Sequence, residues 1–139
     1  MLARVNAERT SAGLSALRTL AAAQPLADQW AEHTKDGPYE HDTDPATGYD
    51  ADLASLRCSD PLDGFPPGTS EAIHWGSEGT PAEIAARVVT WWMGSPNHRP
   101  ILLEPSSTYA GVGLAYSTSS ETWTVVLRTT TADCSNIAG

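Results

Sequence analysis

Leu2, Val5, Arg9 and Ala12 recur at helical spacing and Gly13 follows them, which predicts a helix over 2–12. A connection over 14–24 carries Leu14, Leu17 and Leu20. Pro25 suits a first helical position, so a second helix runs from there to about Lys35. Leu26, Trp30 and the row Ala23, Ala27, Ala31 share one of its faces, and Asp36-Gly37-Pro38 stops it. Periodicity then disappears over 36–70. Asp44-Pro45, Thr47-Gly48, Asp60-Pro61, Asp63-Gly64 and Pro66-Pro67-Gly68 read as turns, with one short helix over 50–56. A loop of this length in a compact domain is usually functional or tied down.

Residues 69–75 read as a strand. Thr80-Pro81-Ala82-Glu83 then combines an N-cap, a proline at the first position and a capping-box glutamate. The helix it opens carries Ile84, Val88 and Trp91 or Trp92 on one face, and Gly94 ends it. By the same logic Ser95-Pro96-Asn97-His98 opens a further short helix, with Pro100 in its second turn and Glu104-Pro105 as its stop. Residues 109–116 and 122–131 are strands joined by 117–121. Trp123, Val125 and Leu127 alternate, but Val126 is apolar too, so the last strand is packed on both faces. Helices, irregular loop, strand, helices and a terminal hairpin make an α+β domain with an antiparallel sheet, spanning 1–139 as one unit.

Composition changes this picture little. Leu, Val, Ile and Phe number only 12, 6, 4 and 1, but 20 Ala, 5 Trp and 4 Tyr supply packing surface that disordered chains lack. No apolar run approaches the roughly 20 residues of a membrane span. A net charge of −9 argues against nucleic acid and against a polybasic membrane anchor. Residues 28–83 carry −11 and the remainder +2. The cysteines, Cys58 and Cys134, fit no metal-binding spacing. In an exported domain they read as one disulfide, and in a cytosolic one as two thiols. No signal peptide is recognised, because Arg4, Asn6, Glu8 and Arg9 interrupt the first apolar stretch; an exported protein would be a trimmed mature domain.

Candidate chemistry rests on histidines and one glutamate. His41 lies between Glu40 and Asp42, which favour its protonated form. His98 falls in the first turn of the short helix, where the dipole disfavours imidazolium. Glu71 stands at a strand start with no basic neighbour. If these converge, two His and one carboxylate either hold a divalent cation such as Zn2+ with an open position, or form a polar cleft for a small ligand. The bland alternative is ordinary loop histidines. His33 reads as a helix-surface residue, and His74 either lines a pocket or fills a sheet face. Asp42-x-Asp44 has the start of a calcium loop, but its glycine and terminal glutamate are misplaced, so a solvated acidic loop is the better reading. There is no H-E-x-x-H and no G-x-S-x-G. The tryptophans read mainly as core.

Together these motifs resemble a family. Glu71-Ala72-Ile73, then Trp92-Met93-Gly94-Ser95-Pro96-Asn97-His98-Arg99 and Ile101-Leu102, is similar to the G-E-N-I and W-M-x-S-P-x-H-R-x-x-I-L of bacterial CAP domains, also called SCP domains. Their relatives are cysteine-rich secretory and plant pathogenesis-related proteins. Gly111-Val112-Gly113, the opening Asn6, Arg9, Gly13-Leu14 and Leu17, and Tyr39-Glu40-His41 fall in matching order. The resemblance implies a three-layer α-β-α sandwich, a secreted or cell-surface location, and a cleft where His41, Glu71 and His98 meet. Ser95 stands where eukaryotic members carry a second glutamate, and Ser70-Glu71-Ala72 departs from G-E-N. The function expected is a binding module for a cation, small molecule or lipid. One alternative is a hydrolase with Zn2+ on His41 and His98 and Glu71 as ligand or base. Another is a protein or cell-wall interaction module using the acidic loop 36–63.

Overall fold

The structure is a computed structural model and describes residues 1–44, 48–58 and 68–137. In chain order it contains α1 (Leu2–Ser11), β1 (Arg18–Thr19), a 3-10 turn (Ala21–Ala23), α2 (Gln24–Thr34), α3 (Tyr49–Ser55), β2 (Thr69–Ser77), α4 (Pro81–Met93), α5 (Arg99–Leu102), β3 (Tyr109–Ser117) and β4 (Thr122–Thr130). The sheet order is β1-β3-β4-β2. β2, β3 and β4 pair antiparallel as expected, and β1 adds a parallel edge with Arg18 opposite Tyr109. That edge was absent from the sequence reading, because a strand of 2 residues has no period to detect.

β4 lies between two helical layers, and every one of its residues from Thr124 onward is buried. Val125 and Leu127 pack into a core with Val5, Ile84, Val88, Trp92 and Leu102. Val126 points the other way, against Ala27, Ala31, Ile73 and Ala115. Alternate side chains of a strand point to opposite faces, so one strand serves both cores. The alanine row of α2 sits directly on sheet backbone: a Cβ added at Gly113 would lie 2.2 Å from the carbonyl carbon of Ala27. Close approach through Ala and Gly explains how a domain so poor in large aliphatics still forms three layers.

The capping box of α4 is present, with the Glu83 N–H donating to Thr80 Oγ1 and the Thr80 N–H to Glu83 Oε1, each at 3.3 Å. Trp92 rather than Trp91 enters the core, and its indole donates to the Ile73 carbonyl at 3.4 Å. Of the tryptophans only Trp92 is fully buried; Trp30, Trp75 and Trp123 pack half-buried, and Trp91 is 51% exposed. The core assignment therefore holds for Trp92 and fails for Trp91, which sits just off the buried face of α4.

The short helix begins later than expected. Residues 96–98 form a turn and α5 starts at Arg99. Pro100 thus falls in the first turn, where its missing N–H leaves no helical bond unmade. Arg9, read as part of an apolar face, is a buried cation whose guanidinium donates to the carbonyls of Ser15, Leu102, Glu104 and Ser107 at 2.8–3.4 Å. It ties α1 to the loop after α5.

Cys58 and Cys134 are disulfide-bonded, with Cα atoms 4.5 Å apart. The bond joins the chain after α3 to the C-terminal tail. The turns expected at Asp60-Pro61, Asp63-Gly64 and Pro66-Pro67 lie outside the described residues, as do Pro45 and Thr47. Among the described residues no helix is long and apolar enough to cross a membrane.

Candidate functional site

β2 is one of the two outer strands of the sheet, and it carries Glu71, His74 and Ser77. His41 arrives from the segment after α2. Thr34 Oγ1 donates to the Pro38 carbonyl at 2.7 Å and accepts from the Trp75 indole at 3.2 Å. The Trp30 indole donates to the Glu40 carbonyl at 3.2 Å. These bonds fix the backbone just before His41, whose Nδ1 meets Glu71 Oε1 at 2.9 Å. The Asp42 N–H donates to the same oxygen at 3.3 Å.

Glu71 is only 4% exposed, and a buried carboxylate needs compensation. Arg128, directly opposite on β4, supplies it through Nε to Oε2 at 2.8 Å. The same guanidinium donates to Asp52 at 2.7 Å and to Asp42 at 3.0 Å. Its cation also lies 5.6 Å from the Tyr49 ring centre. One arginine therefore holds carboxylates from the His41 segment, α3 and β2. Burial pushes the Asp42 carboxyl up from its ordinary range, the bond to Arg128 pulls it down, and Glu71 and Asp52 push it up again.

A second group of side chains is built from β2, α4 and the turn before α5. Ser95 Oγ and His98 Nδ1 are 2.7 Å apart, and Ser77 Oγ and His74 Nδ1 are 2.8 Å apart. The Trp91 ring lies between the two imidazoles, with centroid separations of 5.1 Å to His74 and 5.0 Å to His98. Burial lowers the pKa of both histidines. His41 lowers that of His98 further, and Arg87 and His98 lower that of His74. His74 and His98 meet through the Trp91 ring that both contact. His98 precedes α5 as its N-cap rather than standing inside a first turn, so burial replaces the helix dipole as the main reason it favours the neutral form.

Each of the three rings has Nδ1 engaged, and among the described residues no hydrogen bond is made by any Nε2. Toward the Glu71 carboxylate the His41 Nδ1–H is the donor. The serine hydroxyls can donate or accept, so His74 and His98 can present either tautomer. His33, by contrast, stacks on Trp30 at 4.7 Å on the exposed side of α2, as expected of a surface residue.

Of the site residues named from sequence, His41 is hydrogen-bonded to Glu71 and Ser95 to His98, and His74 packs on the same Trp91 ring as His98. Arg128, Asp42, Asp52 and Trp91 were missed as site residues. Among the described residues no group of three or more His, Cys, Asp or Glu is placed to hold a metal ion. Both Glu71 oxygens are already committed, which takes Glu71 itself out of a metal-ligand set. Asp42 binds Arg128, which takes it out of the calcium-loop pattern as well. It also turns part of the acidic loop inward.

The lowered imidazoles have a pH consequence. A histidine whose folded pKa is depressed contributes stability that is present above the unfolded value of 6.5 and lost as pH falls through the folded value. Thermal midpoints should fall on acidification from about pH 7 to about pH 5, and His74→Gln and His98→Gln should each flatten that fall. Identical profiles for wild type and both variants would refute the assignment.

A family model described as the cysteine-rich secretory protein family, CAP, matches residues 2–127. The fold is similar to that of an outer surface protein from Borrelia burgdorferi, with a TM-score of 0.72, 18% identity, and coverage of 95% of this chain and 88% of that one. It is also similar to an extracellular SCP-domain protein from Bacillus anthracis, with a TM-score of 0.63, 19% identity, and coverage of 90% of this chain and 37% of that one. No curated protein matches the chain in sequence. The family match extends from α1 into β4 and takes in every site residue described except Arg128, so the chain belongs to the CAP family of cysteine-rich secretory proteins.

Proposed function

We propose that this domain is an exported binding module whose ligand enters the cleft between His41–Glu71 and the His74–Trp91–His98 group. One observation carries the reading: His41, His74 and His98, from separate segments, are each held at Nδ1 with no hydrogen bond at Nε2 among the described residues, and His74 and His98 both pack on the half-exposed Trp91. Export is supported by the disulfide, which persists in oxidising compartments, and by the outer-surface and extracellular proteins that share the fold. The hydrolase alternative has less support. Glu71 is clamped by Arg128 and His41, so it is a poor general base. The acidic-loop alternative is weakened because Asp42 and Asp52 point to Arg128.

The test is a resonance titration of the cleft imidazoles and the Trp91 indole. Suitable probes are Zn2+, a neutral oligosaccharide and a lysophospholipid. The expected result is that at least one probe shifts both groups together, and that His41→Ala or His98→Ala weakens the response about tenfold. A panel in which no probe reaches the cleft counts against the module.

A further inference from the structure

The sheet has a second outer edge, remote from β2. β1 pairs with β3 only at Arg18–Tyr109 and Thr19–Ala110, so among the described residues β3 has no strand partner on that side from Gly111 to Ser117. Two bonds fix the direction of its main-chain groups. The Leu20 N–H donates to the Ala110 carbonyl, and the Leu114 N–H donates to Asp28 Oδ1, each at 2.9 Å. In an antiparallel pair alternate residues turn both main-chain groups away from the partner, so Val112 and Tyr116 face outward as well. An uncovered row of this kind is a template for another strand.

The two flanks of this edge differ in chemistry. On one, Leu114 and Tyr116 are 43% and 40% exposed, and the Tyr116 ring lies 5.2 Å from that of Trp123 on β4. They continue the face that holds Ala110 and Val112 against the core, but stay open to solvent. On the other flank α2 lies against the glycines of β3, and its acids Asp28, Glu32 and Asp36 follow at intervals of four residues. Asp28 touches the edge at Leu114, and Asp36 accepts hydrogen bonds from Ser117 and Ser119 where the strand ends. Lys35 is paired with Glu32, so the stripe keeps a net negative charge.

We propose that the β3 edge from Val112 to Tyr116 is a strand-addition site for an extended segment of a partner protein in which apolar residues alternate with lysine or arginine. Successive side chains of an added strand fall on opposite flanks. The apolar ones cover Leu114 and Tyr116, and the basic ones meet the α2 acids. Asp28 adds selectivity: it occupies the Leu114 N–H that an added strand needs, and a cation beside it gives the carboxylate another partner. A second copy of this chain fits poorly. Pairing two β3 edges about Leu114 brings Asp28 against Asp28 and joins two chains of net charge −9.

The experiment titrates 15N-labelled protein with a blocked heptapeptide of alternating lysine and valine, and with its glutamate–valine counterpart. Saturable shifts of the Val112, Leu114 and Tyr116 amides are expected, with slowed exchange of the Val112 and Tyr116 N–H groups. The glutamate peptide should bind at least about tenfold more weakly. Asp28→Asn keeps an acceptor at Leu114 without the charge, and should weaken the lysine peptide about fivefold. Leu114→Pro should abolish binding, because its N–H points out of the sheet and its loss blocks strand addition while sparing the ladder to β4. Thermal midpoints show whether each variant is folded. A lysine–valine peptide N-methylated at every second residue keeps the charges but cannot pair, and it tests the same point without altering the protein. The proposal is overturned if the methylated or the glutamate peptide binds as well as the lysine peptide, or if the shifts fall away from β3. It is also overturned if the β3 amides shift with protein concentration alone, which makes a second copy the occupant.

Discussion

Replacing Arg128 by alanine should lower the unfolding free energy by about 3–5 kcal/mol at neutral pH. The reason is what the substitution leaves behind. Glu71 and Asp42 are 4% and 6% exposed, and both take a hydrogen bond from this guanidinium. Without it, carboxylates from separate segments face one another, and Glu71 keeps only its hydrogen bonds with His41 Nδ1 and the Asp42 N–H. Urea unfolding at about pH 7 measures the loss. The same titration near pH 4 supplies a sharper check, because a carboxyl stranded in an apolar site has its folded pKa raised. Raised acids contribute stability that is present below the unfolded pKa and lost as pH rises, so the deficit of Arg128→Ala should shrink on acidification. Arg128→Lys keeps the charge but not the fork that reaches three carboxylates, and should fall between the two. A loss below about 1 kcal/mol, the range of exposed ion pairs, would show that the network is not the compensated buried cluster described here.

Local signals in the sequence carried much of this fold. Pro25, Thr80-Pro81 and Glu83 announced α2 and α4, and the apolar run around Val126 announced a strand covered on both sides. The family resemblance named His41, Glu71 and His98 as one site when spacing alone did not, and of these His41 and Glu71 are in hydrogen-bond contact. Arg128 stayed hidden because its partners Glu71, Asp52 and Asp42 are 57, 76 and 86 residues away in sequence. The available hint was a charged residue following Val125, Val126 and Leu127, since a charge in a strand buried on both faces is found paired. The choice between Trp91 and Trp92 was open for a different reason. The period of α4 allowed either adjacent tryptophan on the buried face, and only packing against Ile73 settles it for Trp92. His74 depends on topology: strand alternation gives its face, but not that β2 is an outer strand with α4 and the turn before α5 beside it.

Removing the disulfide as the Cys58→Ser/Cys134→Ser pair should cost about 4–5 kcal/mol, from the entropy of closing a loop with a sequence separation of 76. For a domain of 139 residues this corresponds to a fall of roughly 15 °C in thermal midpoint. The effect should not be spread evenly. Cys58 and Cys134 share a small cluster with Leu20, Tyr109, Leu53, Leu56 and Ile137, apart from the two cores that flank β4. That cluster packs the C-terminal turn of α3 against the rest of the domain, and α3 carries Asp52, one of the Arg128 partners. Hydrogen exchange should therefore rise first in α3 and the tail after Thr130, while the backbone of β4 keeps its protection. Because α3 then loosens its hold on Arg128, the cleft should feel the change too. The His41 ring should broaden in the double variant at temperatures where β4 is still fully folded. A uniform loss of protection across α3 and β4 would instead mean that the bond stabilises the whole domain as one unit. In either case a loss of this size, about half of a typical domain's stability, makes oxidation a condition of durable folding, which ties the cleft's integrity to an oxidising compartment.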